Sequence, residues 1–367
     1  MSIANSAANV LRQSRDIPSA LAGFDGFIDT ICDVVEKRHD ARSYTRIATL
    51  KSYGERIAAA AGKSTNIEVV PTLVKLGGNG PIMANALGAL GARVSYCGMT
   101  GYPNTHPVFE EFGARATLLP LCEPALTDAY EFDDGKLIVG KHATVADVSY
   151  QNLVSHVGLE AWNESWQNAD FVAMVNWTML PFMTTLWQKI LETQTPNAPR
   201  KTLFFDLADP EKRSRDDILE ALETISQFQK YHDALLGLNE KEAIKVGDVL
   251  NLPTPPGEVL THESAQELAD AIRARLEISV VVIHPTRFAA AASATQTAAV
   301  EGPWTATPKI STGAGDHFNA GFSFGHLLGA DLEEALQIGV GTSGFYVRTA
   351  KSPSREELAG FLEELAV

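Results

Sequence analysis

Cysteine is scarce in this chain: Cys32, Cys97 and Cys122 are the only three among 367 residues. They are widely separated and show no CxxC spacing, which argues against a disulfide framework and a zinc cluster and predicts a reducing, cytoplasmic setting. No stretch reaches the roughly 18 uninterrupted apolar residues of a membrane span. The opening MSIANSAANVLRQSRD lacks the apolar run of an export signal, so neither a membrane nor secretion is expected. Positive charge is short as well. The 30 Lys and Arg face 45 Asp and Glu, a formal charge of −15, which repels a polyanionic backbone and argues against nucleic acid as a partner. The nine histidines form no HxxxH pair, so no metal site built from protein ligands alone is expected. There is no fixed-period repeat.

What is present is an ordinary globular composition, 45% hydrophobic and 20% charged, with length enough for one large domain. Short runs rich in Val, Ile, Leu and Phe recur at 94–97, 171–175, 203–205, 234–236 and 279–283, as in strands buried on both faces. Between them the spacing predicts helices near 81–90, 180–192, 213–228, 240–246, 263–276, 316–328 and 331–348. The order βαβα predicts an α/β fold with a mainly parallel sheet. Residues 24–42 and 115–145 break that rhythm. The second of these holds two strand-like segments joined by Asp133-Asp134-Gly135, a hairpin signal, and the two stretches are read as a small β-lid. The Ala-rich stretch 289–299 fits either a helix or a pair of short strands.

The chemistry concentrates in Ser311-Thr312-Gly313-Ala314-Gly315-Asp316-His317-Phe318-Asn319-Ala320-Gly321-Phe322. Gly313 and Gly315 permit a tight turn, and the apolar helix that follows directs its first free N–H groups and positive dipole end at whatever sits there. That is an anion hole. Asp316 on the same first turn is placed either to take a proton from an incoming hydroxyl or simply to cap the helix. A second glycine turn, Gly77-Gly78-Asn79-Gly80, precedes another helix. Asp206 and Asp209 follow a strand at its C-terminal end, where α/β sites gather. Trp162, Trp166, Trp177 and Trp187 read as packing residues, since no basic groove accompanies them.

The string GAGDxFNAGF resembles the C-terminal motif of the ribokinase-like (PfkB) carbohydrate kinases, and Leu76 to Gly91 resembles that family's N-terminal glycine motif. Three further matches fall in order: Gly23 to Asp29 at the first strand, Asn239-x-x-Glu242, and Gly341-Thr342-Ser343-Gly344. The resemblance covers roughly residues 18–365. It implies a single ribokinase-like domain over residues 1–367, of three-layer α/β/α build, and a phosphotransferase moving the terminal phosphoryl group of ATP to a hydroxyl of a sugar or sugar-like alcohol. In that reading Asp316 is the general base, Gly313, Ala314 and Gly315 form the anion hole, and Asp29 or Asp25 with Gly78 and Asn79 orients the acceptor. Asn239, Thr312 and Gly341 lie on the nucleotide, and Glu242 reaches Mg²⁺ through water. The family also implies homodimers paired through exposed lid strands. ADP as donor, suggested by Gly77 to Asn85, and a non-catalytic sugar-binding homologue are the alternatives.

The chain departs from the family pattern at four places. Ile82 stands where the glycine motif usually has an asparagine, with Asn79 or Asn85 as substitutes. Ser311 replaces an aspartate beside the family's monovalent cation. Gly101-Tyr102-Pro103 replaces Gly-Asp. After Ile283 the nucleotide stretch reads His284-Pro285-Thr286-Arg287-Phe288, so His284 or Arg287 is expected to supply contacts that glycines and threonine supply elsewhere.

Overall fold

The computed structural model describes residues 2–194, 198–254 and 259–366. In chain order the first eight strands are β1 (Ser19–Phe24), β2 (Phe27–Arg38), β3 (Tyr44–Arg46), β4 (Val69–Gly77), β5 (Arg93–Gly98), β6 (Ala116–Pro120), β7 (Ala125–Phe132) and β8 (Gly135–Lys141). The rest are β9 (Phe171–Met174), β10 (Thr202–Asp206), β11 (Asp233–Leu238), β12 (Val280–Ile283), β13 (Phe288–Ser293) and β14 (Thr297–Glu301).

Nine of them form one sheet in the order β14-β13-β12-β11-β10-β9-β1-β5-β6. From β6 to β12 every pairing is parallel, and β13 and β14 close one edge as an antiparallel hairpin. The continuous apolar runs are explained by burial on both faces. Leu203 and Phe205 of β10 pack into one hydrophobic layer and Phe204 into the other, and in β9 Val172 and Met174 alternate with Phe171 and Ala173 in the same way. The Ala-rich stretch is therefore a pair of strands, with Ala289 to Ala292 buried, because small side chains let flanking helices approach the edge hairpin.

The other strands form a second sheet, in which β2 is flanked by β4 and β7, β8 pairs with β7, and β3 extends the far end of β2. Two segments differ from the sequence reading. Ala116–Pro120 lies in the large sheet beside β5, since its register continues the parallel order, and Val69–Gly77 joins the second sheet as the antiparallel partner of β2. The Asp133-Asp134-Gly135 turn joins β7 to β8 as its chemistry demands. Ile3–Gln13, a helix with little sequence signal, buries Ala4, Ala7, Ala8 and Leu11; beyond its C-terminus Arg355 bonds the Ser14 carbonyl at 2.8 Å. Among the described residues no helix is long and apolar enough to cross a membrane.

The parallel strands place their C-terminal ends on one rim. Asp25 follows β1, Asn176 follows β9, Asp206 ends β10, Asn239 follows β11 and His284 follows β12. β2 leaves that rim one residue after Asp25-Gly26, and β4 returns to it at Gly77, so the second sheet stands over it.

Candidate active site

Asp25 is fully buried, and its carboxylate organises the first glycine turn. Oδ2 accepts from the Asn79 N–H at 2.9 Å and from Asn176 Nδ2 at 2.6 Å, while Oδ1 accepts from the Gly80 N–H at 2.8 Å. The helix Asn79–Ala89 has no side-chain cap of its own, so Asp25 satisfies its leading donors from the neighbouring strand end and complements its dipole. Burial pushes the Asp25 carboxyl up to about 6, against the pull of these hydrogen bonds. Gly78 turns with φ +102°, and a Cβ there would come within 2.7 Å of Asp25 Oδ2. At Gly77 a Cβ would run into the Asp29 carboxylate, which would have to swing aside to admit a side chain. Asp29, on β2, lines a cavity of about 460 Å³ between the second sheet and the rim. The two aspartates left open by spacing thus divide: Asp25 holds the turn, and Asp29 faces the cavity.

On the opposite wall, Gly313 begins the helix Ala314–Leu327 with φ +90°. The Ala314 N–H is drawn back to the Ser311 carbonyl at 3.2 Å, and the His317 N–H is taken by the Gly313 carbonyl at 3.1 Å. Among the described residues the Gly313 and Gly315 N–H groups have no backbone acceptor, and both residues line the cavity. Ala314, expected as an equal donor, is thus partly engaged by its own turn. Asp316, 8% exposed, accepts a hydrogen bond from Asn79 Nδ2 at 2.9 Å through Oδ1. Burial raises its carboxyl to about 8; the Asn79 bond opposes this, and the charges of Asp25 and Glu242 add to it.

Two more acids complete the floor. Asp206 accepts from the Ala208 N–H at 2.9 Å and Asn319 Nδ2 at 2.7 Å, and burial followed by Glu242 and Asp316 raises its proton affinity. Glu242 accepts from the Asp209 N–H at 2.9 Å and the Asn239 N–H at 2.8 Å, while Asn239 Oδ1 receives the Glu242 N–H at 3.0 Å. This reciprocal cap ties the loop after β10 to the end of β11.

A second cavity, of about 390 Å³, opens on the other side of the Asp316 helix between the β12–β13 loop, Gly302 to Thr305 and the helix Leu332–Thr349. Asn239, His284 and Gly315 line both cavities. The two spaces therefore meet at the helix start, beside Asp316.

A family model for prokaryotic ketohexokinases matches residues 3–365. A ketohexokinase from Haloferax volcanii is 30% identical over 362 residues, covering 98% of this chain and 94% of that protein. The chain belongs to the prokaryotic ketohexokinase family. It is a carbohydrate kinase, and its fold is that of the ribokinase-like enzymes. A carbohydrate kinase from Agrobacterium tumefaciens superposes with a TM-score of 0.64 at 17% identity, covering 95% of this chain and 97% of that one. A ribokinase from Arabidopsis thaliana, complexed with ribose and ATP, does so with a TM-score of 0.62 at 16% identity, covering 95% and 99%.

The kinase brings most of the expected residues to these two cavities. Asp29, Gly78, Asn79, Asn239, Glu242, Thr312, Gly313, Gly315 and Asp316 line the first. Gly341 does not belong with them. It faces the C-terminal helix, where a Cβ would meet Leu358 and Leu362, whereas Ser343 and Gly344, further round the same helix, line the second cavity. Each residue advances about 100° round the helix, so Ser343, two positions on, points roughly opposite to Gly341. Ile82 packs against Gly313 rather than facing a ligand, and Asn85 points toward Ser352 at 3.5 Å, so only Asn79 of the two substitutes reaches the cavity. Tyr102 stacks on His156 and lines neither space. Arg287 lies over the Trp304 ring at 4.2 Å, and Trp304, half exposed, lines the second cavity. The sequence reading missed Trp304 and Asn176. A left-handed residue such as Asn176, with φ 60°, is visible only once strand ends are placed. The other four tryptophans are buried packing residues.

Proposed function

We propose that this kinase transfers the γ-phosphoryl group of ATP to a hydroxyl of a ketohexose, with Asp316 as the general base. The observation that carries the reading is the position of Asp316, where the cavity under the second sheet meets the cavity beside Trp304. The acceptor occupies the first, oriented by Asp29 and Asn79. The nucleotide occupies the second, its base against Trp304 and the Ser343–Gly344 face, its phosphates directed at the helix start. Asp316 takes the hydroxyl proton as the oxygen attacks phosphorus; the Pγ–O bond to ADP breaks, and the Gly313 and Gly315 N–H groups bind the charge on the transferred group. Ketohexose as acceptor rests on the family and on the Haloferax volcanii relative.

The acids fit magnesium carried in on a nucleotide. Glu242 raises the proton affinity of both Asp206 and Asp316, so a divalent cation nearby relieves their repulsion. Among the described residues no group of three ligating side chains could hold a metal by itself, so the phosphates supply part of its shell. When bound, the ion neutralises phosphate charge and orients the donor. Asp206 and Glu242 are the residues that would face it, the latter through water.

The second sheet serves as a lid. Its inner residues Ile31, Thr127, Ala129 and Ile138 line the acceptor cavity and exclude water that would compete for the phosphoryl group. The test is transfer of label from terminally labelled ATP, and separately from labelled ADP, to D-fructose, other ketohexoses, glucose, ribose and nucleosides. Preferred transfer from ATP to ketohexoses is expected. Transfer from ADP alone overturns the donor, preference for another acceptor overturns the substrate class, and no transfer at all favours a sugar-binding homologue.

A further inference from the structure

Behind the anion-binding turn, on the side away from the acceptor, lies a cluster that the phosphoryl-transfer chemistry does not use. Tyr346 donates its hydroxyl hydrogen to the Thr312 carbonyl at 3.0 Å. His317 Nδ1 lies 2.7 Å from the Gly313 carbonyl, and His317 Nε2 lies 2.8 Å from Ser352 Oγ. The two rings stack with centroids 3.6 Å apart and planes 13° from parallel. Both residues are nearly buried, at 2% and 8% exposure.

The pattern fixes every proton. A carbonyl only accepts, so Nδ1 carries the hydrogen and donates it to Gly313; in the neutral ring Nε2 is bare and accepts from the Ser352 hydroxyl. Burial holds His317 well below its ordinary range, at about 4, so this arrangement does not change over the pH range in which Asp316 titrates. In a planar trans peptide the carbonyl and the following N–H point opposite ways. Holding the Thr312 carbonyl against Tyr346 therefore turns the Gly313 N–H toward the cavity that Gly313 lines. Holding the Gly313 carbonyl against His317 fixes the next plane and the first turn that carries Gly315 and Asp316.

We propose that His317 and Tyr346 are positioning residues that clamp the two carbonyls of the Thr312-Gly313 segment and so preorganise the anion hole for the transferred phosphoryl group. The clamp rests on the phosphotransfer reading above. Preorganised donors act in the transition state more than in substrate binding, so its loss falls on kcat.

The test compares wild type with Tyr346→Phe, His317→Ala, His317→Asn and the double variant, each checked for folding by circular dichroism and melting. Tyr346→Phe keeps the ring and its stack, so it reports on the clamp even where His317→Ala does not fold. Expected are a fall in kcat of about tenfold for Tyr346→Phe and about 10–100-fold for His317→Ala, below the loss for a full oxyanion donor. Sugar KM stays within about twofold. His317→Asn, whose amide nitrogen takes the place of Nδ1, recovers kcat to within about threefold of wild type. The double variant loses less than the product of the single losses, because both act on one turn. Wild-type kcat in folded Tyr346→Phe, or a His317→Ala loss that Asn does not repair, overturns the clamp. Asp316→Asn run alongside separates the two readings: inactive Asp316→Asn with unaffected Tyr346→Phe removes only the clamp, and active Asp316→Asn removes the base assignment.

Discussion

Asn79 reaches from one glycine turn to the acid of the other, its amide Nδ2 donating to Asp316 Oδ1 at 2.9 Å across 237 positions of sequence. The same residue gives its backbone N–H to Asp25, so one asparagine joins the buried acid that shapes the first glycine turn to the acid on the first turn of the Ala314–Leu327 helix. Because an amide N–H stabilises the carboxylate and not the acid, this bond draws the Asp316 pKa down from the level burial alone would set.

Replacing Asp316 by Asn is expected to lower kcat by roughly 10²–10⁴, the usual contribution of a positioned base, while nucleotide affinity stays within a few-fold. Steady-state kinetics and calorimetric titration of ATP check the two halves. A variant that turns over at near wild-type rate would show that Asp316 only caps its helix.

The raised carboxyl of Asp316 gives two pH signatures of opposite sense. In the proposed role as general base Asp316 must be ionised, so kcat/KM is expected to rise with pH through about 8, the value of the free enzyme. Stability moves the other way. The folded pKa of about 8 lies above the ordinary 3.8, so the protein holds this proton more tightly than the unfolded chain does; the contribution is complete below pH about 4 and is lost as pH rises through 8. Asp25, at about 6, acts in the same sense over a lower window. Ligand-free melting temperature should fall between pH 6 and 9 and fall less in Asp316→Asn; equal slopes would place the proton elsewhere.

Asn79→Ala removes the donor that lowers the Asp316 pKa. A hydrogen bond to a charged group is worth about 1.5–3 kcal/mol, which corresponds to about 1–2 pH units. The ascending limb of kcat/KM is expected to move to higher pH by that amount, with activity at pH 7 reduced about tenfold or more and partly regained at pH 9. A uniform loss with an unmoved limb would mean that Asn79 contacts only the acceptor.

How much of this was legible in the sequence follows from what each residue needs. Gly313-Ala314-Gly315-Asp316 declares itself because turn, helix start and acid are contiguous, and Gly77-Gly78 does so for the same reason. Asp25 and Asp29 could not be separated by spacing, since only the crossing of β1 into β2 sends one carboxylate under the Asn79 helix and the other into the cavity. Gly341 was misplaced because family position carries no helical phase: a shift of three residues to Gly344 changes the neighbour from Leu362 to Pro303. The parallel sheet was readable from its apolar runs, but β4 was not, because its exposed Pro71 to Val74 looks like a loop until β2 pairs with it.

Exchange of potassium for sodium or a bulky organic cation at fixed ionic strength is expected to change the rate by less than about twofold. Ser311 offers no fixed charge, and the neighbouring carbonyls of Thr312 and Gly313 already accept from Tyr346 and His317. Constant ionic strength removes the screening effect that would imitate specific binding. A saturable, potassium-specific activation would show that other carbonyls of this turn form a cation site.

Trp304 supplies the last prediction, and it separates the two cavities by kinetics. The ring is half exposed, is held from one side by the Arg287 guanidinium at 4.2 Å, and lines the cavity assigned to the nucleotide. Stacking of a base on an aromatic ring is worth about 1–3 kcal/mol, so Trp304→Ala is expected to raise KM for ATP by roughly 5–150-fold. Because the base lies away from the reacting phosphorus, its loss weakens ground state and transition state alike, and kcat at saturating ATP should change little. The KM for the sugar should stay unchanged, since Trp304 does not line the cavity proposed for the acceptor. Initial rates over a grid of both substrates measure all three constants at once, and a rise confined to the sugar KM would exchange the assignments of the two cavities.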